Sequence, residues 1–423
     1  MDFKKVMLIT FILLSFLWNG VKAQSQKSDI TSPPELEGYG KYLRSLINEG
    51  KNAEVANWFF TKNRNLNSSK YYMLAAKFYE MAKKPDSAAV SLNLALDNGM
   101  SDPNIIEKEN LTSIQQASSW VEIKSKLDAL DKKLHNIENF QIDTEPMDSF
   151  WPYFNLAIAD TSQAKKTLSQ YILSGSLATR EYYSDVYKSI DEMYEVMIIE
   201  NNELYKNCQK LFTPENLKSL KNEVLSGMNE LKKIYPDAVF PKVYIVPGIM
   251  NSGGRSTSLG LFVGAEKFIT SDGNSLEINN KAIQSIIIHE LMHFQQGYQD
   301  IENSEKLIGK VISEGVCDFL AELCTGIQLE NENLEYLKSS KNKDFILSEF
   351  KKDLFSDELN NWMYNYNPKD RPVDIGYTLG YLISKSYYEK SNDKKLAVHN
   401  LLNTNNFKEI IDQSEYKFVL GRN

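Results

Sequence analysis

Two histidines and a glutamate carry the chemistry of this chain. His289, Glu290 and His293 stand in the run Ile286-Ile287-Ile288-His289-Glu290-Leu291-Met292-His293-Phe294-Gln295-Gln296. On a helix, positions four apart lie on one face, so both imidazoles reach a single ion. Glu290 sits about 100° round that helix from His289 and meets a water on the ion. This H-E-x-x-H pattern is that of zinc-dependent hydrolysis, with the histidines as ligands and the glutamate as general base. The other two histidines, His135 and His399, are remote in sequence, and His399 is too isolated to favour.

A catalytic site of this kind needs a third ligand. The metzincin pattern would put a glycine at position 296 and a histidine at 299; the chain has Gln296 and Gln299 there. Downstream comes Ile312-Ser313-Glu314-Gly315-Val316-Cys317-Asp318-Phe319-Leu320, where Val311, Ile312, Phe319, Leu320 and Leu323 give a second helix a core face. His289, His293 and Glu314 leave one position of a tetrahedral zinc open for water. Asp318, one turn beyond Glu314, accepts the second ring N–H of a ligand histidine. The plain alternative makes both acids solvated helix charges. The apolar residues around them argue against it, because burying two unpaired acids costs several kcal/mol. Cys317 beside Glu314 reads as a small buried thiol on the core face rather than a ligand.

Other elements must position these groups. Val243–Val246 reads as a short strand, Ser252 to Thr257 as a glycine-containing loop, and Leu259–Gly264 as a second strand. A small sheet is thus expected beside the metal helix, with the Leu259–Gly264 strand holding an extended substrate chain. Long helices are expected over Tyr182–Tyr194 and Leu217–Ile234, and again over Phe345–Met363. A helix after Arg371-Pro372 carries Tyr377 and Tyr381 one turn apart. Tyr377 first, then Tyr381 and Arg371, are the candidate donors to an oxyanion, against the reading that both tyrosines only pack on the core.

The frame is that of an exported protein. Lys4 and Lys5 precede an apolar run from Val6 to Trp18, and Ala23 offers a small-residue cleavage site, so residues 1–23 read as a signal peptide. No cysteine precedes Cys208, which excludes a lipoprotein cysteine, and no later run approaches a membrane span. The expected location is periplasmic or secreted. Cys208, Cys317 and Cys324 give no disulfide framework, since Cys317 and Cys324 on one helix would lie about 10.5 Å apart along its axis. A net charge of −8 over 423 residues argues against nucleic acid as a partner.

Residues 24–34 read as a linker and 35–138 as a helical region. Its clearest unit is a hairpin, Tyr71–Ala82 and Ser87–Leu96, closed by Lys84-Pro85-Asp86 and stopped by Gly99. Ala75, Ala88, Ala89 and Ala95 let the two helices approach, in a tetratricopeptide-like repeat. That region is either a protein-docking surface or a cap on the next domain. Residues 139–423 are expected to form one zincin-like domain, mainly α with a small β-sheet.

The motifs together resemble the gluzincin metallopeptidases. More narrowly, Phe150-Trp151, Ser252-Gly253-Gly254, Glu314-Gly315-Val316-Cys317-Asp318-Phe319, Gly376-Tyr377-Thr378-Leu379-Gly380-Tyr381 and Tyr387-Tyr388-Glu389 resemble an uncharacterised family of exported, predicted zinc-dependent proteases of bacterial envelopes, some related to gliding-motility proteins. The resemblance covers roughly residues 140–420. It implies zinc on His289, His293 and Glu314, Glu290 as catalytic base, and Asp318 orienting a histidine. Cys317 stands where a small alanine-like residue is usual, and the transition-state histidine of gluzincins has no match. The expected activity is peptide-bond hydrolysis on a peptide or protein substrate. The rival expectation is a non-catalytic zinc-binding envelope scaffold that works through its helical repeat.

Overall fold

The computed structural model describes residues 32–271, 275–300, 302–364 and 367–421. Residues 1–23, expected as a signal peptide, and most of the expected 24–34 linker lie outside the described residues. Helix takes 65% of the described residues and the strands gather in a small mixed sheet, so the protein is mainly α with a small β-sheet, as its sequence implies.

The chain starts with helices α1 (Gly40–Asn48), α2 (Asn52–Lys62), α3 (Ser69–Met81) and α4 (Pro85–Asp97). Ser68 caps α3 by accepting from the Tyr71 N–H. Pro85 opens α4 at the first helical position, where its missing N–H costs nothing. Ala75, Ala88, Ala89 and Ala95 are all fully buried between these helices, which pack as the expected hairpin. Helix α5 (Trp120–Leu134) closes this apolar cluster with Ile123 and Leu127.

The stretch after Asn139, where the helical pattern breaks, holds strand β1 (Ile142–Asp143). Helices α6 (Phe150–Ala159), α7 (Ala164–Ser174) and α8 (Leu177–Tyr182) come next. The long helix expected over Tyr182–Tyr194 is not continuous. A π-helical turn over Tyr183–Tyr187 ends at Lys188, whose φ of +58° breaks the run, and a new helix starts at Ile190. A tyrosine-rich apolar cluster joins Leu36, Leu66 and Tyr71 to Phe150, Tyr171, Tyr182 and Phe262, so the first helices and the sheet share a core.

Helix α9 (Pro214–Ile234) is capped by Thr213 and leads to β2 (Val243–Val246), β3 (Gly254–Thr257) and β4 (Gly260–Gly264), then a separate hairpin of β5 (Ile269–Ser271) and β6 (Leu276–Ile278). The main sheet runs β1-β2-β4-β3. Strand β4 lies parallel to β2, with Val243 opposite Leu261, and antiparallel to β3, with Arg255 opposite Phe262. Two sequence expectations change here. The Ser252–Thr257 segment is largely a strand, not a loop. Strand β4 has a partner on each side and cannot pair with a substrate; the edges of the sheet are β3 and the two-residue β1.

The remaining core is helical: α10 (Asn280–Gln295), α11 (Leu307–Thr325), α12 (Ser340–Asp353), α13 (Ile375–Lys390) and α14 (Lys394–Asn403). The helix expected over Phe345–Met363 begins earlier, at Ser340, and stops at Asp353. Asn279 caps α10, and Gly326, at φ +70°, ends α11 in the left-handed conformation that glycine adopts without strain. Helices α11 and α13 cross at Gly315 and Gly380, where a Cβ on Gly380 would lie 1.9 Å from the Val311 carbonyl oxygen. Only glycine permits that approach.

Candidate metal centre

Helix α10 buries its apolar face on α9 and α11 through Ile283, Ile287, Ile288 and Leu291. That contact fixes its rotation and turns His289 and His293 toward α11. The two rings are 5.0 Å apart between centroids. Glu314 on α11 points its Oε2 at both, 3.4 Å from His289 Nε2 and 3.2 Å from His293 Nε2. Asp318, one turn on, accepts from His289 Nδ1 at 2.8 Å. His293 Nδ1 is held by Gln296 Oε1 at 3.0 Å. Gln296 is itself fixed, its Nε2 donating to the Ser313 carbonyl at 2.8 Å and its Oε1 accepting from Ser313 Oγ at 2.9 Å.

Each Nδ1 faces an acceptor, which favours a proton there and leaves Nε2 as the atom that a cation would take, beside Glu314 Oε2. Around a four-coordinate ion with nitrogen and oxygen donors at ~2.0–2.1 Å, neighbouring donors lie ~3.3–3.4 Å apart. The separations of Glu314 Oε2 from the two Nε2 atoms, 3.4 and 3.2 Å, are close to that spacing.

His289, His293 and Cys317 also form a cluster that could hold a metal ion. Glu314 is the better third donor. Burial pushes the Cys317 thiol well up, and the nearby Glu314, Asp318 and Glu290 push it further, so it stays a neutral thiol. It accepts from Gln296 Nε2 at 3.2 Å. Burial alone would raise the Glu314 carboxyl, but the two imidazoles outweigh it and hold it well below the usual carboxylate range. The same pairing outweighs burial at His289 and His293, whose pKa values are raised; a divalent cation at Nε2 competes with that proton.

Glu290 is buried beside this trio. Burial pushes its carboxyl up, and the imidazoles pull only part of the way back. The edge strand presses on it: a Cβ on Gly254 would sit 2.8 Å from Glu290 Cγ and 2.5 Å from Ile286 Cγ1. Glycine is therefore required at that point of β3.

A cleft of about 850 Å³ opens over these groups. Its walls include β3 on one side and Tyr364, Asp374 and Tyr377 on the other. Tyr364 Oη donates to Glu314 Oε1 at 2.9 Å and its ring meets that of Tyr377 edge-on. Burial, then Glu314, raises both phenols, so they remain donors. Tyr364 and Asp374 have φ of +57° and +53°, unfavourable for residues with a Cβ and of the kind that gathers at functional sites.

Of the sequence candidates, His289, Glu290, His293, Glu314, Asp318 and Tyr377 come together in this cleft. Arg371 and Tyr381 do not. The Arg371 guanidinium is stacked on Trp362 at 4.0 Å and paired with Asp370 at 2.7 Å, and its side chain is only 2% exposed. Tyr381 turns its hydroxyl to Glu322 Oε2 at 2.8 Å and to Lys385, and it does not line the cleft. Sequence reasoning misses Gln296, Tyr364 and Arg255. Gln296 enters it only as the residue that breaks the metzincin pattern, although its position one turn after His293 places it for this role. Arg255 is visible as the one charged side chain in a run of small residues.

The first helices also reach the cleft. Lys70, in the first turn of α3, lines it, and also lines a neighbouring cavity of about 350 Å³ with Lys108, Ser256 and His293. Ser68 Oγ, Ser69 Oγ and the Lys70 N–H all donate to the fully buried Glu181, at 2.6, 3.2 and 3.2 Å, tying α3 to the segment that carries Asp185.

No helix among the described residues is long and apolar enough to cross a membrane. The family described as gliding motility protein GldB matches the chain over residues 112–418, and the chain belongs to that family. The match begins within the helical region, earlier than the resemblance read from motifs. No curated protein and no solved structure matches the chain.

Proposed function

We propose that this member of the gliding motility protein GldB family is an exported zinc-dependent metallopeptidase of the cell envelope. The observation that carries the reading is the convergence of His289 Nε2, His293 Nε2 and Glu314 Oε2 on one point, with the opposite nitrogen of each ring already tied to an acceptor. Two imidazoles and one carboxylate suit zinc and leave room for a fourth ligand. The ion, when bound, supplies Lewis acidity toward water and a substrate carbonyl, bringing the pKa of such a water to about 7.

The rest of the chemistry belongs to the chain. Glu290 takes the proton of the attacking water on its carboxylate and returns it to the leaving amine. Its raised pKa brings it nearer the operating pH, which favours both transfers. Tyr377, held protonated at the cleft wall, donates to the oxyanion, while Tyr364 donates to Glu314 Oε1 and steadies that carboxylate. Strand β3 offers a free edge of backbone N–H and C=O groups to an extended substrate, in the role expected of β4. A scaffold that had retired from catalysis would not need a buried, desolvated Glu290 beside its ligands; its presence supports an enzyme. The helical region serves as substrate wall through Lys70 and leaves its outer helices for a protein partner.

Metal analysis of the purified protein, coupled to cleavage profiling on an unbiased peptide library, tests this. Zinc near one equivalent and cleavage abolished by a chelator are expected. A metal-free protein, or cleavage indifferent to the chelator, would overturn it.

A further inference from the structure

We propose that Arg255 and Lys70, both held by the buried carboxylate of Asp185, form an anion-accepting subsite in the cleft that selects chains presenting a carboxylate. The inference rests on the reading of the cleft as a peptidase site and goes on to name a substrate class.

Arg255 lies on the free edge strand and Lys70 at the start of α3, and both line the same cleft as Glu290 and Glu314. Arg255 Nε donates to Asp185 Oδ2 at 2.8 Å and Nη2 reaches Oδ1 at 3.5 Å. Lys70 Nζ forms an ion pair with the same Oδ1. Asp185 is itself only 3% exposed, while Lys70 and Arg255 keep 27% and 46% of their side chains open. Burial would raise the Asp185 carboxyl, but its two cations outweigh that and hold it at about 2, so it is an anion at any working pH. One carboxylate therefore serves two cations, and neither it nor Glu181 is on the cleft surface.

Lys70 also faces the buried Glu181, so Arg255 is the cation more open to the cleft, with 46% of its side chain exposed against 27% for Lys70. Among the described residues Arg255 Nη1 makes no hydrogen bond, which leaves part of a planar fork free to meet a carboxylate. The wall opposite β3 carries Tyr364, Asp374 and Tyr377 and, among the described residues, offers an anion no free cation. An anionic group on a substrate is drawn to Arg255 and Lys70, which fixes the direction in which a chain lies along β3. The carboxylate comes either from a glutamate or aspartate side chain or from a free C-terminus.

The test is equilibrium binding by the full-length mature protein, read by fluorescence anisotropy. The probes are labelled hexapeptide mixtures in matched pairs: end-blocked with a central glutamate or glutamine, and neutral with a free-acid or amide C-terminus. At least one pair should favour the carboxylate by about 10-fold, less so in high salt, and the pair that does so identifies the source. In Arg255→Gln and Lys70→Gln that ratio should fall toward one, and Arg255→Lys, which keeps charge but loses the fork, should fall between. Equal binding of both pairs by the wild type, or a ratio unchanged in folded variants, would overturn the proposal. Binding is measured without turnover, so carboxylate selection with no cleavage would remove the peptidase reading and leave the subsite, and cleavage without selection would do the reverse.

Discussion

The backbones of Gly315 and Gly380 are in contact: a Cβ on Gly315 would lie 1.9 Å from the Gly380 carbonyl carbon. Glu314 is the neighbour of that contact, so the crossing of α11 and α13 sets how far its carboxylate stands from the imidazoles. Gly380→Ala forces the helices apart. Overpacking of this kind costs roughly 1–3 kcal/mol or more. The expected result is a lower unfolding midpoint together with reduced metal occupancy. A variant that unfolds earlier yet binds metal as the wild type does would uncouple the crossing from the site.

Glu290→Gln separates chemistry from binding. The substitution keeps shape and removes the base, so metal content should stay at the wild-type level while turnover falls by about 10²–10⁴-fold, the usual worth of a general base. His293→Ala should lose both metal and turnover. Undiminished cleavage by Glu290→Gln would remove Glu290 as the base and with it this mechanism.

Asp318→Asn tests the outer support of the site. The Asp318 oxygen holds His289 Nδ1 at 2.8 Å. Losing such a partner lowers metal affinity by about 10–100-fold in comparable sites. Gln296→Ala should act similarly through His293. Competition against a chromophoric chelator reads both, and affinities equal to the wild type would show that neither group orients its ring.

Asp185 gives a pH prediction. Its folded pKa, about 2, lies below the ordinary carboxylate value of 3.8. The stability it contributes is thus fully present above pH ~4 and is lost as pH falls toward ~2. Glu181, pushed up by burial, acts in the opposite sense: its ionisation costs stability as pH rises through its range. Denaturant unfolding of the wild type and Asp185→Asn should differ clearly at pH ~5 and converge as pH falls to about 2. A gap that stays constant across that window would show that the ion pairs contribute nothing.

The ligand helix is legible in the sequence because two histidines and a glutamate at helical spacing form a local pattern. Glu314 and Asp318 are legible through their apolar surroundings, which make sense of two acids on a core face. Tyr364, Arg255 and Lys70 are not, since they reach the cleft from a strained turn, an edge strand and a helix far upstream, and only tertiary packing joins these. The strand order fails for a similar reason. Local alternation marks a strand but does not say that β4 inserts between β2 and β3. Arg371 and Tyr381 sit near Tyr377 in sequence, yet rotation of the helix and the pull of Trp362 and Glu322 take them elsewhere.

The hydrogen bonds that Glu181 draws from Ser68, Ser69 and Lys70 decide where the gene can be cut. An expression clone opened at residue 112, where the family match starts, would lose these donors and also Leu36, Leu66 and Tyr71, which share an apolar cluster with Phe150, Tyr182 and Phe262. Uncovering that cluster gives up roughly 25 cal/mol for each Å² of apolar surface, a large share of what keeps a domain folded. The shortest fragment expected to stay soluble therefore begins upstream of Ser68, and partners of the outer helices are best mapped by point changes on an intact chain.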